Sequence, residues 1–130
     1  MLFFKRRYDG GENSNVTGYW VVEIKKLFSV VLLKFEPGHR ENYHSHAFNA
    51  LTIWLKGKVL EERRDVNKNT EYRAGQIKYT PRENIHKIHC EKTAWALCFR
   101  GPWHDYWEEY GLNKIYTLTH GRKIVNVRKI

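Results

Sequence analysis

Short runs of apolar, β-branched and aromatic residues, each broken by turn formers, set the rhythm of this chain. They predict strands over residues 20–25 (WVVEIK), 28–36 (FSVVLLKFE), 48–55 (FNALTIWL), 59–64, 76–80, 85–90 and 93–100 (TAWALCFR), with weaker strands over 115–119 and 124–127. Pro37-Gly38, Lys56-Gly57, Pro81 and Gly101-Pro102 end strands, and Asn67-Lys68-Asn69 reads as a polar hairpin loop. Residues 104–110 (HDYWEEY) admit a helical turn or an irregular loop, and residues 1–15 a loose arm or an edge strand. Many short antiparallel strands with no long helix predict an all-β fold, a sandwich or a small barrel. With 130 residues and neither repeat nor linker, a single domain over 1–130 is expected.

The two-residue period of a strand also sorts faces. Along 44–55, one face carries His44, His46, Phe48, Ala50, Thr52 and Trp54, and the other Leu51, Ile53 and Leu55. Two apolar faces are more than one thin barrel covers, so the outer face is expected to join two copies as a homodimer, unless the N-terminal strands cover it. Along 93–100, Thr93, Trp95, Leu97 and Phe99 form the bulkier face and are expected to be core. Ala94, Ala96, Cys98 and Arg100 form a small-residue face. Arg100 then sits either at a cavity mouth or at an exposed strand end, paired with Glu108 or Glu109.

His44-Ser45-His46 aims two imidazoles at one point, a geometry that suits a divalent cation and equally a pair on a solvated strand face. The surroundings decide between the two. Gly38, His44, His46, Ala50 and Gly57 stand at the positions of the pattern G-x5-HxH-x3,4-E-x6-G, with Ala50 in place of the glutamate. Gly75, Pro81, Glu83, His86 and Cys90 stand at those of G-x5-P-x-G-x2-H-x3-N. On these spacings the chain resembles the cupin superfamily over residues 38–90. The resemblance implies a jelly-roll β-barrel with one divalent metal ion held by His44, His46 and His86. A three-histidine set without the glutamate is similar to that of thiol dioxygenases and related O2-using cupins, which implies Fe2+, with Zn2+, Ni2+ or Mn2+ as other choices. Around the ion, Arg40, Tyr43, Trp54, Tyr79, Cys98 and Arg100 are candidate pocket residues. His39, His89, His104 and His120 are read as non-ligands. The aromatic segment GPWHDYWEEYG (101–111) resembles the C-terminal part of short phage-type cupin-like proteins and is expected to cover the open end of the barrel or to build an interface.

Composition narrows the partners. A formal net charge of +9 favours anions, but the basic residues are scattered among acids, as in Glu61-Glu62-Arg63-Arg64-Asp65, and match no nucleic-acid-binding motif. Two cysteines make no disulfide framework, and no apolar run approaches the ~20 residues that span a bilayer. A cytoplasmic protein is therefore expected. Two functions stay open: a metal-dependent enzyme of oxygenase type, or a non-enzymatic binder of an anionic small molecule or sugar with a structural or ligand-holding metal.

Overall fold

The computed structural model describes residues 2–9, 14–37, 43–64, 66–111 and 113–129. Among these lie twelve strands and one short 3-10 turn, His120–Arg122. One six-stranded antiparallel sheet runs β1(Leu2–Tyr8), β2(Val16–Ile24), β3(Phe28–Phe35), β9(Ala94–Arg100), β4(Ala50–Lys56), β7(Ile77–Thr80). Opposite it stand β6(Lys68–Arg73), β5(Lys58–Arg63) and β8(His86–His89), and beyond them β10(Trp107–Tyr110), β11(Lys114–Thr119) and β12(Lys123–Lys129). His44 bridges the two groups, pairing with His86 on one side and Glu109 on the other. The result is the jelly roll that the cupin resemblance implies.

The core is built from one face of each strand in turn. Val31, Leu33 and Phe35 alternate inward from β3, Trp54 and Ala50 from β4, and Val59 from β5. Phe35 and Trp54 rings meet at 5.4 Å. Between β4 and β5 the chain turns at Gly57, whose φ of +84° suits glycine alone. A side chain there would also press on the backbone of Thr93 and Ala94.

Several expectations are corrected. Ala94, Ala96, Cys98 and Arg100 of β9 face inward, while Trp95 and Leu97 are half-buried and Phe99 is exposed. Bulk does not choose the inner face here: Trp54, Phe35 and Phe48 already fill the narrow interior, and only small residues fit against them. β6 begins at Lys68, where a loop was expected; its polar sequence suits an edge strand facing solvent. β2 starts at Val16, four residues before the apolar run suggests, because Gly18 makes room for the Trp20 ring. Segment 104–110 is irregular at first and then becomes β10 rather than a helical turn. β1 is an edge strand, and it extends the large sheet through β2 instead of covering its outer face.

Candidate metal centre

The segment carrying His44 and His46 is held by backbone on both sides. His44 N–H donates to His86 O at 2.9 Å and His86 N–H to His44 O at 3.1 Å. Ser45 N–H donates to Glu108 O at 2.8 Å, and Glu108 N–H returns to Ser45 Oγ at 2.9 Å. His104 and Gly101 N–H donate to Ala47 O and Asn49 O, so the chain after β9 buttresses the same segment. The C-terminal aromatic stretch thus gains a definite role, since β10 is the second backbone neighbour of the paired histidines. Trp103 closes over Phe48 at 5.3 Å and meets Trp107 at 5.6 Å.

The three imidazoles converge. Ring centroids lie 4.7 Å (His44–His46), 5.1 Å (His44–His86) and 4.9 Å (His46–His86) apart, and one nitrogen from each lies within 4.8 Å of the others. An ion bound at ~2.1 Å from each needs only a small inward turn of the rings. Burial, aided by the neighbouring positive charges, pushes His46 and His86 well below the usual histidine range, so both are neutral and able to donate a lone pair. His46 Nδ1 is buried with no hydrogen-bond partner, and His86 Nδ1 lies 2.5 Å from Glu61 Oε2. That carboxylate fixes the His86 tautomer and leaves Nε2 for the cluster. The donor set fits a divalent cation of the imidazole-preferring kind.

Glu61 is a buried partner of the cluster that sequence reasoning missed. It is 1% exposed and also pairs with Lys78 Nζ. The signal was available: on β5 it shares a face with Val59, a charge on an apolar stripe. Burial draws the Lys78 ammonium down to about 8.

Ala50, Thr52, Trp54, Cys98, Arg100 and Lys78 line a cavity of about 70 Å³ with the three histidines. Ala50 is 7% exposed and presents only a methyl where the cupin pattern has a carboxylate. Thr52 Oγ1 lies 3.7 Å from Cys98 Sγ. Tyr79 is not in the cavity: it is 60% exposed, on the outer face opposite to Lys78 and Thr80. Tyr43 also lies elsewhere, under Lys87 Nζ at 4.6 Å. Arg40, like His39, falls outside the described residues. His89 is exposed beside Glu62, His104 is exposed, and His120 stacks on Trp103 at 5.9 Å. Arg100 is not an exposed strand end paired with Glu108 or Glu109, which hold Arg128 and Arg122 instead. Its side chain is 4% exposed and is bound to Asp9 by two hydrogen bonds, 3.2 and 2.7 Å long.

No family model matches the sequence, and no curated protein does. Solved structures do match. A sugar phosphate isomerase of the cupin superfamily from Silicibacter pomeroyi superposes with a TM-score of 0.67 at 12% identity, covering 97% of this chain and 88% of that one. The chain has the cupin fold. The polyketide cyclase RemF from Streptomyces resistomycificus gives 0.65 at 14% identity over 98% of this chain and 80% of its own. An RmlC-like cupin from Shewanella frigidimarina gives 0.61 at 14% identity over 76% and 84%. At these identities the cupin likeness speaks for architecture. No helix among the described residues is long and apolar enough to cross a membrane.

Proposed function

We propose that this chain holds one divalent metal ion on His44, His46 and His86 and acts as a small-molecule metalloenzyme of oxygenase type. The observation that carries the reading is the donor set. Three imidazoles converge beside the buried methyl of Ala50, and the buried carboxylate of Glu61 is spent on His86 and Lys78. A cation so held would take no carboxylate from position 50, which leaves room for an anionic or chelating substrate and for O2. Ferrous iron suits such a site best, and when bound would supply Lewis acidity and oxygen chemistry. Of the chain's own groups, Glu61 orients His86, and Lys78, whose ammonium is drawn down by burial to about 8, can give or take a proton at the cavity wall. A sugar phosphate isomerase and a polyketide cyclase share the fold, which leaves function to the site.

A second reading, a non-enzymatic binder of an anionic small molecule or sugar, draws on the small cavity and on the pairing of both its cations, Arg100 with Asp9 and Lys78 with Glu61. Metal analysis of untagged protein, followed by O2 uptake of the iron-loaded form against a panel of small anions, separates the two. Iron with substrate-dependent O2 uptake is the expected outcome. A zinc site that retains a ligand and consumes no O2 favours the binder, and a protein that takes up no metal overturns both. We further infer a cytoplasmic homodimer joined through the outer face of the large sheet.

A further inference from the structure

A guanidinium buried in a cavity wall is strongly disfavoured unless an anion meets it. Arg100 is such a group, at the end of β9. Its Cζ lies 4.5 Å from the centre of the Phe48 ring and 5.7 Å from that of Trp20, so two aromatic faces hold its plane. Nη1 and Nη2 donate to the two oxygens of Asp9, and Nε is buried with no hydrogen-bond partner. Asp9 lines the same cavity as the three histidines. A carboxylate in forked geometry therefore already sits in the cavity, and it belongs to the chain itself.

The element that delivers Asp9 lies at the edge of the sheet. β1 is the outermost strand and pairs only with β2. Its described side chains, Phe4 to Tyr8, are all exposed, and none joins the core cluster. Besides the ladder with β2, it is held by Asp9 N–H on Val16 O at 2.9 Å, by Arg7 on Glu23 at 2.6 Å and by the Arg7 guanidinium over the Trp20 ring at 4.3 Å. Replacing Asp9 by another carboxylate leaves the charge and the forked bonds at Arg100 unchanged and returns Asp9 to water. The ligand takes the place of the Asp9 side chain, itself a CH2–COO− unit beside a cavity of about 70 Å³, so a short-chain carboxylate is the matching class.

We propose that Arg100 anchors a carboxylate subsite for a short-chain monocarboxylate, and that Asp9 is its built-in occupant, carried on a strand that the ligand displaces. The proposal rests on the reading of the histidine cluster only for where the other end of the ligand lies. The free protein is thus self-inhibited toward carboxylates.

The test uses the full chain, stripped of metal by chelator so that the probe cannot bind an ion, with glycolate as probe and glycolamide as its neutral control. Calorimetry should show at least tenfold tighter glycolate binding in Asp9→Asn than in the unsubstituted protein, with no such gain for glycolamide. Asp9→Asn/Arg100→Gln, a neutral pair in place of the ion pair, should lose the gain. Equal affinities in Asp9→Asn and the unsubstituted chain, or tight binding kept by the double variant, would overturn the subsite. Hydrogen exchange on the unsubstituted chain needs no variant: glycolate, and not glycolamide, should speed exchange of amides in 2–9. Unchanged exchange at saturating glycolate would overturn displacement of the strand. Metal uptake is measured in parallel, so that a chain without metal affinity sinks the metal reading while the glycolate data judge the subsite independently.

Discussion

At the scale of single residues, the cavity depends on a few groups whose charges are matched one to one. Glu61 holds His86 by Nδ1, and loss of such a carboxylate typically weakens metal binding ~10–100-fold. Glu61→Gln is therefore expected to lower metal affinity by about that factor in a competition titration, while near-native circular dichroism shows the fold retained. Ala50→Glu is expected to do the reverse. Its carboxylate would rise from the cavity wall beside the histidines, hold the ion more tightly, occupy a position left for ligand and abolish substrate-dependent O2 uptake. Unchanged metal retention and ligand affinity in that variant would mean that position 50 does not reach the ion. The same groups set a pH dependence. His46 and His86 are held well below the ordinary histidine range by burial, so below pH ~6.5 the unfolded chain binds protons that the folded chain does not. Stability of the metal-free protein is then fully present above that pH and falls as acid is added. A urea midpoint that stays flat between about pH 7 and 5 would contradict this.

Among the elements, the segment around His44 and His46 has no strand of its own and borrows order from β8 and β10. Ser45 ties it to Glu108 through both backbone and hydroxyl. Ser45→Ala removes one such bond, an effect of about 1 kcal/mol in stability, and is expected to loosen metal binding with it. Gly57 is the corner from one sheet to the other. Gly57→Ala forces a side chain into positive φ against the Thr93–Ala94 backbone, at a cost of about 1–3 kcal/mol measurable as a lower urea midpoint at unchanged slope.

Across the whole molecule, the outer face of the large sheet stays apolar from strand to strand. Tyr79, Leu51 and Phe99 form one registered row across β7, β4 and β9, and Ile77, Ile53 and Leu97 the next. Leu51 is 40% exposed, Ile77 62% and Phe99 40%. Such a patch on the described surface suits a second copy of the chain. Light scattering is expected to give twice the chain mass, and Leu51→Lys/Ile77→Lys to give a monomer that still binds metal. A monomer mass for the unsubstituted protein at micromolar concentration would end the dimer reading.

What the sequence determined alone follows from local rules. Strand period and turn residues predicted most of the twelve strands, the two-residue period paired His44 with His46, and the cupin resemblance added His86, with which they do converge. The strands and the histidine pair depend on short stretches of chain, where backbone geometry dictates the outcome. The tertiary structure decided whatever depends on packing. Only the filled interior could turn the small face of β9 inward, because bulk is chosen against neighbours and not in isolation. Polar β6 took strand form from its partner β5 rather than from its own residues. Glu61 became a buried partner of His86 only through the pairing of β5 with β8. Asp9 met Arg100 across 91 residues of chain, a contact that no local pattern encodes, because it arises only when the edge strand and β9 close the same cavity.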